Sequence, residues 1–179
     1  DSMKVYNMVI PNHTEFGLPR RLIKDGTVQT TSQAENIKTI YESYTEDVIP
    51  INCYNALSEH VDEYIYFNTD HHWTGLGAYY AYQAFCEQTD KKVLDLSVCT
   101  ENKVDGYEGS LLYCDGSLYE NLDSVYYWTF PYGTYAMRTD NYGETPYESS
   151  VYYEGATSGP YTYGVFIWGD CSTFVEYNE

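Results

Sequence analysis

Positive charge is what this chain has least of. Nine Lys and Arg stand against 27 Asp and Glu, a formal net charge of -18. A field of that sign repels DNA, RNA and anionic lipid, so nucleic acid is excluded as a partner. Long apolar runs are missing as well. No stretch reaches the roughly 18 consecutive apolar residues of a membrane-spanning helix, so no transmembrane segment is expected. The five cysteines, Cys53, Cys86, Cys99, Cys114 and Cys171, are odd in number and form no CxxC pair. They read as thiols, most of them in the core; if one disulfide forms, Cys99–Cys114 is the pair expected. There is no GxSxG and no GDSL box. The chain opens on "DSMKVYNMVIP" without an initiator Met or a secretory leader, and it stops at "FVEYNE" just after an apolar run. It therefore reads as a piece of a longer or processed protein.

What is present is tyrosine. There are 23, of which 13 fall between Tyr107 and Tyr163. Tyrosine supplies stiff, amphipathic surface that suits sheet faces and also platforms that stack on sugars. Sheet packing is the plainer expectation. Low Lys with abundant Asp, Tyr, Asn and Thr is the composition of secreted bacterial domains.

The pattern divides the chain. "VYNMVI", Val5 to Ile10, reads as a buried strand closed by Pro11. In "TTSQAENIKTIYESY", Ser32 is an N-cap with Glu35 as its capping-box partner, and Ile37, Ile40, Tyr41 and Tyr44 form a helical stripe. Val48 to Cys53 reads as a second strand and "YIYF" as a short third. After Trp73, Thr74 caps a helix that carries Leu76, Tyr79, Tyr80, Gln83 and Ala84 on one face and ends near Thr89 and Asp90. Strand, helix, strand, helix is α/β logic. From about Lys103, short Tyr- and Val-rich runs ("SLLYC", "SVYYWTF", "YAMRT", "SVYYE", "YGVFIW") alternate with Gly, Asp, Asn and Pro, which are hairpin signals. The predicted organisation is an α/β core over residues 1–102, a β-rich insertion over 103–164, and a strand over 165–179 that returns to the core. "EGS" at Glu108 to Ser110 and "DGS" at Asp115 to Ser117 read as turns, and the acids of 140–154 as solvated loops.

One stretch concentrates chemistry: "FNTDHHWTGLGAYYAYQAF", Phe67 to Phe85. Two of only four histidines sit beside Asp70. A neutral imidazole deprotonates a hydroxyl best when a carboxylate holds its other nitrogen and stabilises the imidazolium that forms. Asp70 and His72, two residues apart, point the same way in an extended or turn segment. His71 then points away, and Trp73 walls the site. Asp and two His also suit zinc or manganese. Adjacent histidines, however, diverge in direction, and no further acidic cluster lies between Met3 and Thr69, so no metal is predicted. His13 and His60 stand alone and read as surface or core residues.

"TDHHWT" followed by "GAYYAY" resembles the signature of the DHHW family of Gram-positive bacterial proteins. "VIPNHTEFGLP", "QAENIKTIYESY", "EHVDEYIYFNTDHHWT" and "YGVFIWGD" extend that resemblance over most of the chain. The family is similar to the alginate O-acetyltransferase-like branch of the SGNH hydrolase superfamily. The resemblance implies an α/β, SGNH-hydrolase-like (flavodoxin-like) partial three-layer sandwich with the Tyr-rich β insertion. It implies an O-acyl, in particular acetyl, esterase or transferase acting on a cell-surface polysaccharide, extracellular or attached at the surface, with no cofactor. Asp70 becomes the orienting acid and His72 the general base of a Ser-His-Asp triad. The family's serine follows a Lys-Asp-Ser-Tyr-like motif, which this chain does not contain. The nearest stretch is "WGDCST", where Cys171 occupies the serine position of a GDS-like box and Asp170, Cys171 and Ser172 form a candidate nucleophile or oxyanion region. Aligned on its "YGVF" strand, the family instead places the serine beyond Glu179, so that this stretch by itself is inactive. The alternative is of another class: a non-catalytic extracellular module that binds glycan or protein through tyrosines near Tyr126 and Tyr127.

Overall fold

The computed structural model describes residues 3–114, 120–166, 168 and 171–178. Two compact units emerge. The first comprises residues 1–67 and 71–94; the second comprises 95–179 together with Asn68–Asp70. The change of texture expected at 102/103 thus falls earlier, because β3 (Thr100–Tyr107) already belongs to the second unit.

In the first unit, β1 (Val5–Met8) and β2 (Val48–Ile51) pair in parallel with Val5 opposite Val48 and Met8 opposite Ile51. Between them run α1 (His13–Gly17), α2 (Arg20–Lys24) and α3 (Gln33–Glu42). Parallel strands cannot be joined by a tight hairpin, so the helices form the crossover. Ser32 caps α3 by accepting from Glu35 N. From α3, Tyr41 fixes the pair of strands: its hydroxyl donates to Ile51 O (2.8 Å) and accepts from Val9 N (2.9 Å). β1 is not the buried strand its composition suggested. It alternates between exposed and half-buried residues, with Val5 at 45% exposure.

The second predicted strand stops at Ile51. Asn52 accepts from Asn55 N and starts α4 (Cys53–Ser58), which turns Cys53 and Leu57 into the core. "YIYF" is likewise no strand. It contributes one bridge, Tyr66 to Trp73, because the chain reverses immediately after Phe67. α5 (Gly75–Gln88) starts at Thr74 and ends at Thr89, as its pattern predicts. Cys53, Leu57, Ile65, Tyr66 and Ala81 form the core here, with Met8, Phe16, Trp73, Leu76 and Tyr80 packed against it. Burial pushes the Cys53 thiol up to about 12, which leaves it an inert packing group.

The second unit is built from antiparallel strands. β3 pairs with β4 (Asp123–Thr129); β5 (Thr134–Thr139) lies between β6 (Tyr147–Ser149) and β7 (Thr173–Asn178). "SVYYWTF" and "YAMRT" are strands as predicted. "SLLYC" is a 3-10 turn, Ser110–Tyr113, and "SVYYE" leads into another, Glu154–Ala156. The predicted strand from Val165 falls partly outside the described residues, since Ile167, Gly169 and Asp170 are not among them. Thr162–Val165 is a 3-10 turn, and the terminal strand β7 pairs with β5. "DGS" at 115–117 lies outside the described residues. All five cysteines are thiols, so no Cys99–Cys114 bridge forms. Among the described residues no helix is long and apolar enough to cross a membrane.

Thr74 does two things from a buried position: its hydroxyl donates to Tyr64 O (2.7 Å) and accepts from Gly77 N (3.2 Å). Thr74→Val keeps the shape and removes both bonds. It should cost about 1–3 kcal/mol, read as a lower urea midpoint at unchanged m-value; a midpoint equal to that of the parent would show that neither bond matters.

Candidate active site

The DHHW motif sits on a tight reversal. Phe67 N donates to His72 O (3.2 Å) and Thr74 N to Ile65 O (2.9 Å), so residues 65–67 and 72–74 form a two-sided stem. The N-terminal turn of α5 backs directly onto that stem. A Cβ at Gly77 would collide with the Ile65 carbonyl, which is why glycine follows the cap by three residues. Trp73 packs onto the core below, so its part in the site is to hold the stem.

The tip of the reversal, Asn68–Asp70, is itself part of the second unit. Asp123, at the head of β4 and 2% exposed, takes four donors: Asn68 N (2.8 Å), Asn68 Nδ2 (3.0 Å), Thr69 N (2.6 Å) and Thr69 Oγ1 (2.5 Å). A buried carboxylate is tolerated only when its lone pairs are filled in this way. Thr69 in turn accepts from Gly109 N at Oγ1 (3.0 Å) and from Leu111 N at its carbonyl (2.8 Å). Gly109 has no room for a side chain. A Cβ there would collide with the Thr69 carbonyl and lie 2.6 Å from Asp70 Cβ.

Asp70 is itself 2% exposed. Its Oδ2 accepts from Ser110 N (2.8 Å). Burial, and after it the negative charge of Asp70, raises the Tyr107 phenol above its ordinary range; the same two causes raise Tyr163. His71 is exposed and His72 half-buried. Their rings lie 4.0 Å apart at 36°, and one ligand atom from each of Asp70, His71 and His72 lies within 4.8 Å of the others. The histidines therefore do not diverge as expected. Residues 68–72 are a continuous bend, and strand alternation does not apply inside a bend. Such a donor set is of a kind that takes divalent ions. Here one oxygen of the carboxylate already accepts from Ser110 N.

The other predicted residues have structural duties. Ser172 donates from Oγ to Asp140 O (2.9 Å) and from N to Thr139 O (2.9 Å), which starts β7. Cys171 is a half-buried thiol beside it. Asp170 lies outside the described residues. Tyr126 lies under the Lys103 ammonium (5.7 Å) and Tyr127, on the opposite face of the β3–β4 pair, lies against Tyr152 (4.8 Å). His13 stacks on Tyr66, and His60 stacks on Tyr80 while bonding Glu63 (2.6 Å). Sequence reasoning missed Thr69, Tyr107, Gly109, Ser110 and Asp123. For Asp123 a signal existed: an acid heading an otherwise apolar, aromatic strand has to face something.

Fold and motif define a class, a mixed α/β chain with an antiparallel β half and an acid–histidine turn ahead of a capped helix. The family model described as DHHW protein matches residues 1–179, and the chain belongs to the DHHW family. It is similar to a DHHW family protein from Eubacterium siraeum DSM 15702: TM-score 0.85 at 29% identity, over 99% of this chain and 59% of that one. It also shares its fold with Bacillus cereus PatB1, at TM-score 0.56 and 20% identity over 83% of this chain and 52% of that one. Against PatB1 with a sulfonyl adduct the TM-score is 0.66 at 19% identity, over 99% and 61%. This chain thus spans less than two thirds of the length of these relatives. No curated protein matches it.

Asp123→Asn would turn an amide nitrogen toward donors that need an oxygen. The expected cost is about 2–3 kcal/mol, measured by urea unfolding, with loss of protection at the Thr69 amide in hydrogen exchange. An unchanged Thr69 amide would mean that the tip is held by something else.

Proposed function

We propose that the chain carries the acid–base part of an SGNH-like serine O-acyl esterase or transferase, with acetyl as the group moved and a cell-surface glycan as the substrate. The observation that carries this reading is the setting of Asp70: buried, held on one oxygen by a backbone N–H, and followed at once by the half-buried His72. An orienting acid has to be fixed and ionised, whereas a base has to be reachable.

In the proposed reaction a serine Oγ attacks the acyl carbon while His72 takes its proton. The acyl–oxygen bond breaks, the leaving alcohol takes that proton from His72, and the acyl group stays on serine. A second hydroxyl, or water, then reverses the steps. Asp70 stabilises the imidazolium, and backbone N–H groups hold the oxyanion. The serine is assigned to the part of the relatives' length that this chain does not span, since the Ser172 hydroxyl is used at the start of β7. The PatB1 likeness supports the reading in one respect: a sulfonyl adduct is what an activated nucleophile forms with a sulfonylating reagent. A glycan substrate places the protein outside the cytoplasm, at the cell surface.

The test uses a chain of the relatives' full length and a chromogenic acetyl ester. His72→Ala and Asp70→Asn should each lower kcat by roughly 10²–10⁴-fold with intact folding by circular dichroism. Undiminished turnover by His72→Ala would reject the assignment.

A further inference from the structure

Within the first unit, a groove of about 500 Å³ is lined by one face of α4 and one face of α5. That volume falls in the range of small-ligand sites, roughly 300–1,000 Å³. His60, just past the end of α4, is the built part of its wall. The imidazole lies flat on the Tyr80 ring, with centroids 3.5 Å apart at 7°. Its Nδ1 lies 2.6 Å from Glu63 Oε1, and the other oxygen of that carboxylate accepts from the Tyr80 hydroxyl (2.6 Å). Those two bonds, the one from Tyr80 first, hold the Glu63 carboxyl below its ordinary range. Glu63 does not line the groove, so it grips the ring from outside. With the Nδ1 proton given to that carboxylate, the neutral ring presents Nε2 as a fixed acceptor. The stack on Tyr80 would serve packing alone; the Glu63 bridge adds a direction.

The rest of the lining selects the ligand. Two carboxylates, Glu59 and Glu87, face the groove, and among the described residues no Lys or Arg does. An anionic occupant is therefore disfavoured, and a cationic one finds its counter-charge. Glu59 stands beside His60 in the chain. Glu87 lies about two turns past Tyr80 on α5, or about 10 Å at 1.5 Å per residue, with Ala84 between them. The groove thus offers acceptors at two separated places and small apolar side chains, Ala56, Ala84 and Val93, elsewhere. A metal ion does not fit that spacing. Among the described residues, the ligand atoms that gather closely enough for one ion are those of Asp70, His71 and His72, not those of Glu59, His60 and Glu87. We propose that the groove binds a linear organic polyamine. One ammonium donates to His60 Nε2 beside Glu59, a second meets Glu87, and the methylene chain lies on the alanines. The net charge of -18 draws any cation toward the chain, whereas the spacing picks this one. The site is separate from the acyl-transfer reading and stands or falls without it.

The test is a titration of the 179-residue chain with spermidine at physiological ionic strength, followed by backbone-amide NMR. Amides of α4 and α5 around the groove should shift together and saturate. Butylamine, which has a single ammonium, should bind roughly 3- to 30-fold more weakly. His60→Phe keeps the ring on Tyr80 and removes Nε2, and Glu87→Gln removes one charge; each should weaken spermidine roughly 3- to 10-fold. Ala84→Leu fills the groove and should abolish the local shifts while the circular dichroism spectrum stays unchanged. If that variant does not fold, His60→Phe and Glu87→Gln decide by themselves. Shifts spread over the acidic surface, or the same local shifts with magnesium chloride, would mean diffuse counter-ion binding and overturn the proposal. Butylamine binding as tightly as spermidine, or spermidine binding unchanged in the variants, would overturn it as well.

Discussion

The grip of Asp123 on Asn68 and Thr69 is the contact on which the arrangement of the motif depends. A reversal of a few residues has little reason to hold one shape, because its backbone groups find water as readily as partners. Here the tip's two N–H groups, a hydroxyl and an amide converge on a single carboxylate that is almost wholly buried. Desolvating that charge is costly. Four donors offset the cost only if all four are in place, so the geometry is all-or-none. Asp70 comes next in the chain and inherits its position from this grip.

The burial of Asp70 raises a second constraint. Asp70 and Asp123 both act on the Tyr107 phenol, so two buried carboxylates share one neighbourhood. Like charges in a low dielectric repel strongly, and each therefore needs its own set of donors. Asp123 is filled by the tip itself, whereas Asp70 draws on the 3-10 turn that follows β3, at Ser110 N. Glycines at 106 and 109 make this possible for separate reasons. The first permits the left-handed backbone that reorients the strand, and the second lets the backbone approach Thr69 and Asp70 without a side chain in the way.

What could be read in advance follows from how far each cause lies along the chain. α3 and α5 are set by local signals, Ser32 and Thr74 as caps and apolar residues at helical spacing, and both form where the pattern puts them. The motif was legible for the same reason: acid and histidine are neighbours. α4 was not, since "NCYNAL" continues an apolar strand in composition and only the Asn52 cap announces the helix. "YIYF" has the residues of a strand but loses its partner to the reversal at Phe67. Tyrosine-rich runs near Val165 favour sheet by propensity, yet Tyr163 and Val165 are used in a 3-10 turn, because tertiary contacts override a preference worth less than about 1 kcal/mol.

The support of the site was illegible for a deeper reason. Asp123 stands 54 and 55 residues from the atoms it holds, and Gly109 and Ser110 stand 40 from theirs. No periodicity or spacing rule connects such positions; only the folded register of β3 against β4 does. The register in turn is shifted by a bulge at a glycine that, in sequence, is indistinguishable from any loop glycine in "KVDGYEGS". An acid and a base can thus be adjacent in the chain and still owe their usefulness to residues far away. In the proposed reaction the adjacent pair supplies reactivity, which a short motif can encode. The distant residues supply desolvation and fixed orientation, without which a carboxylate beside a histidine on a surface turn would be a solvated ion pair of little consequence.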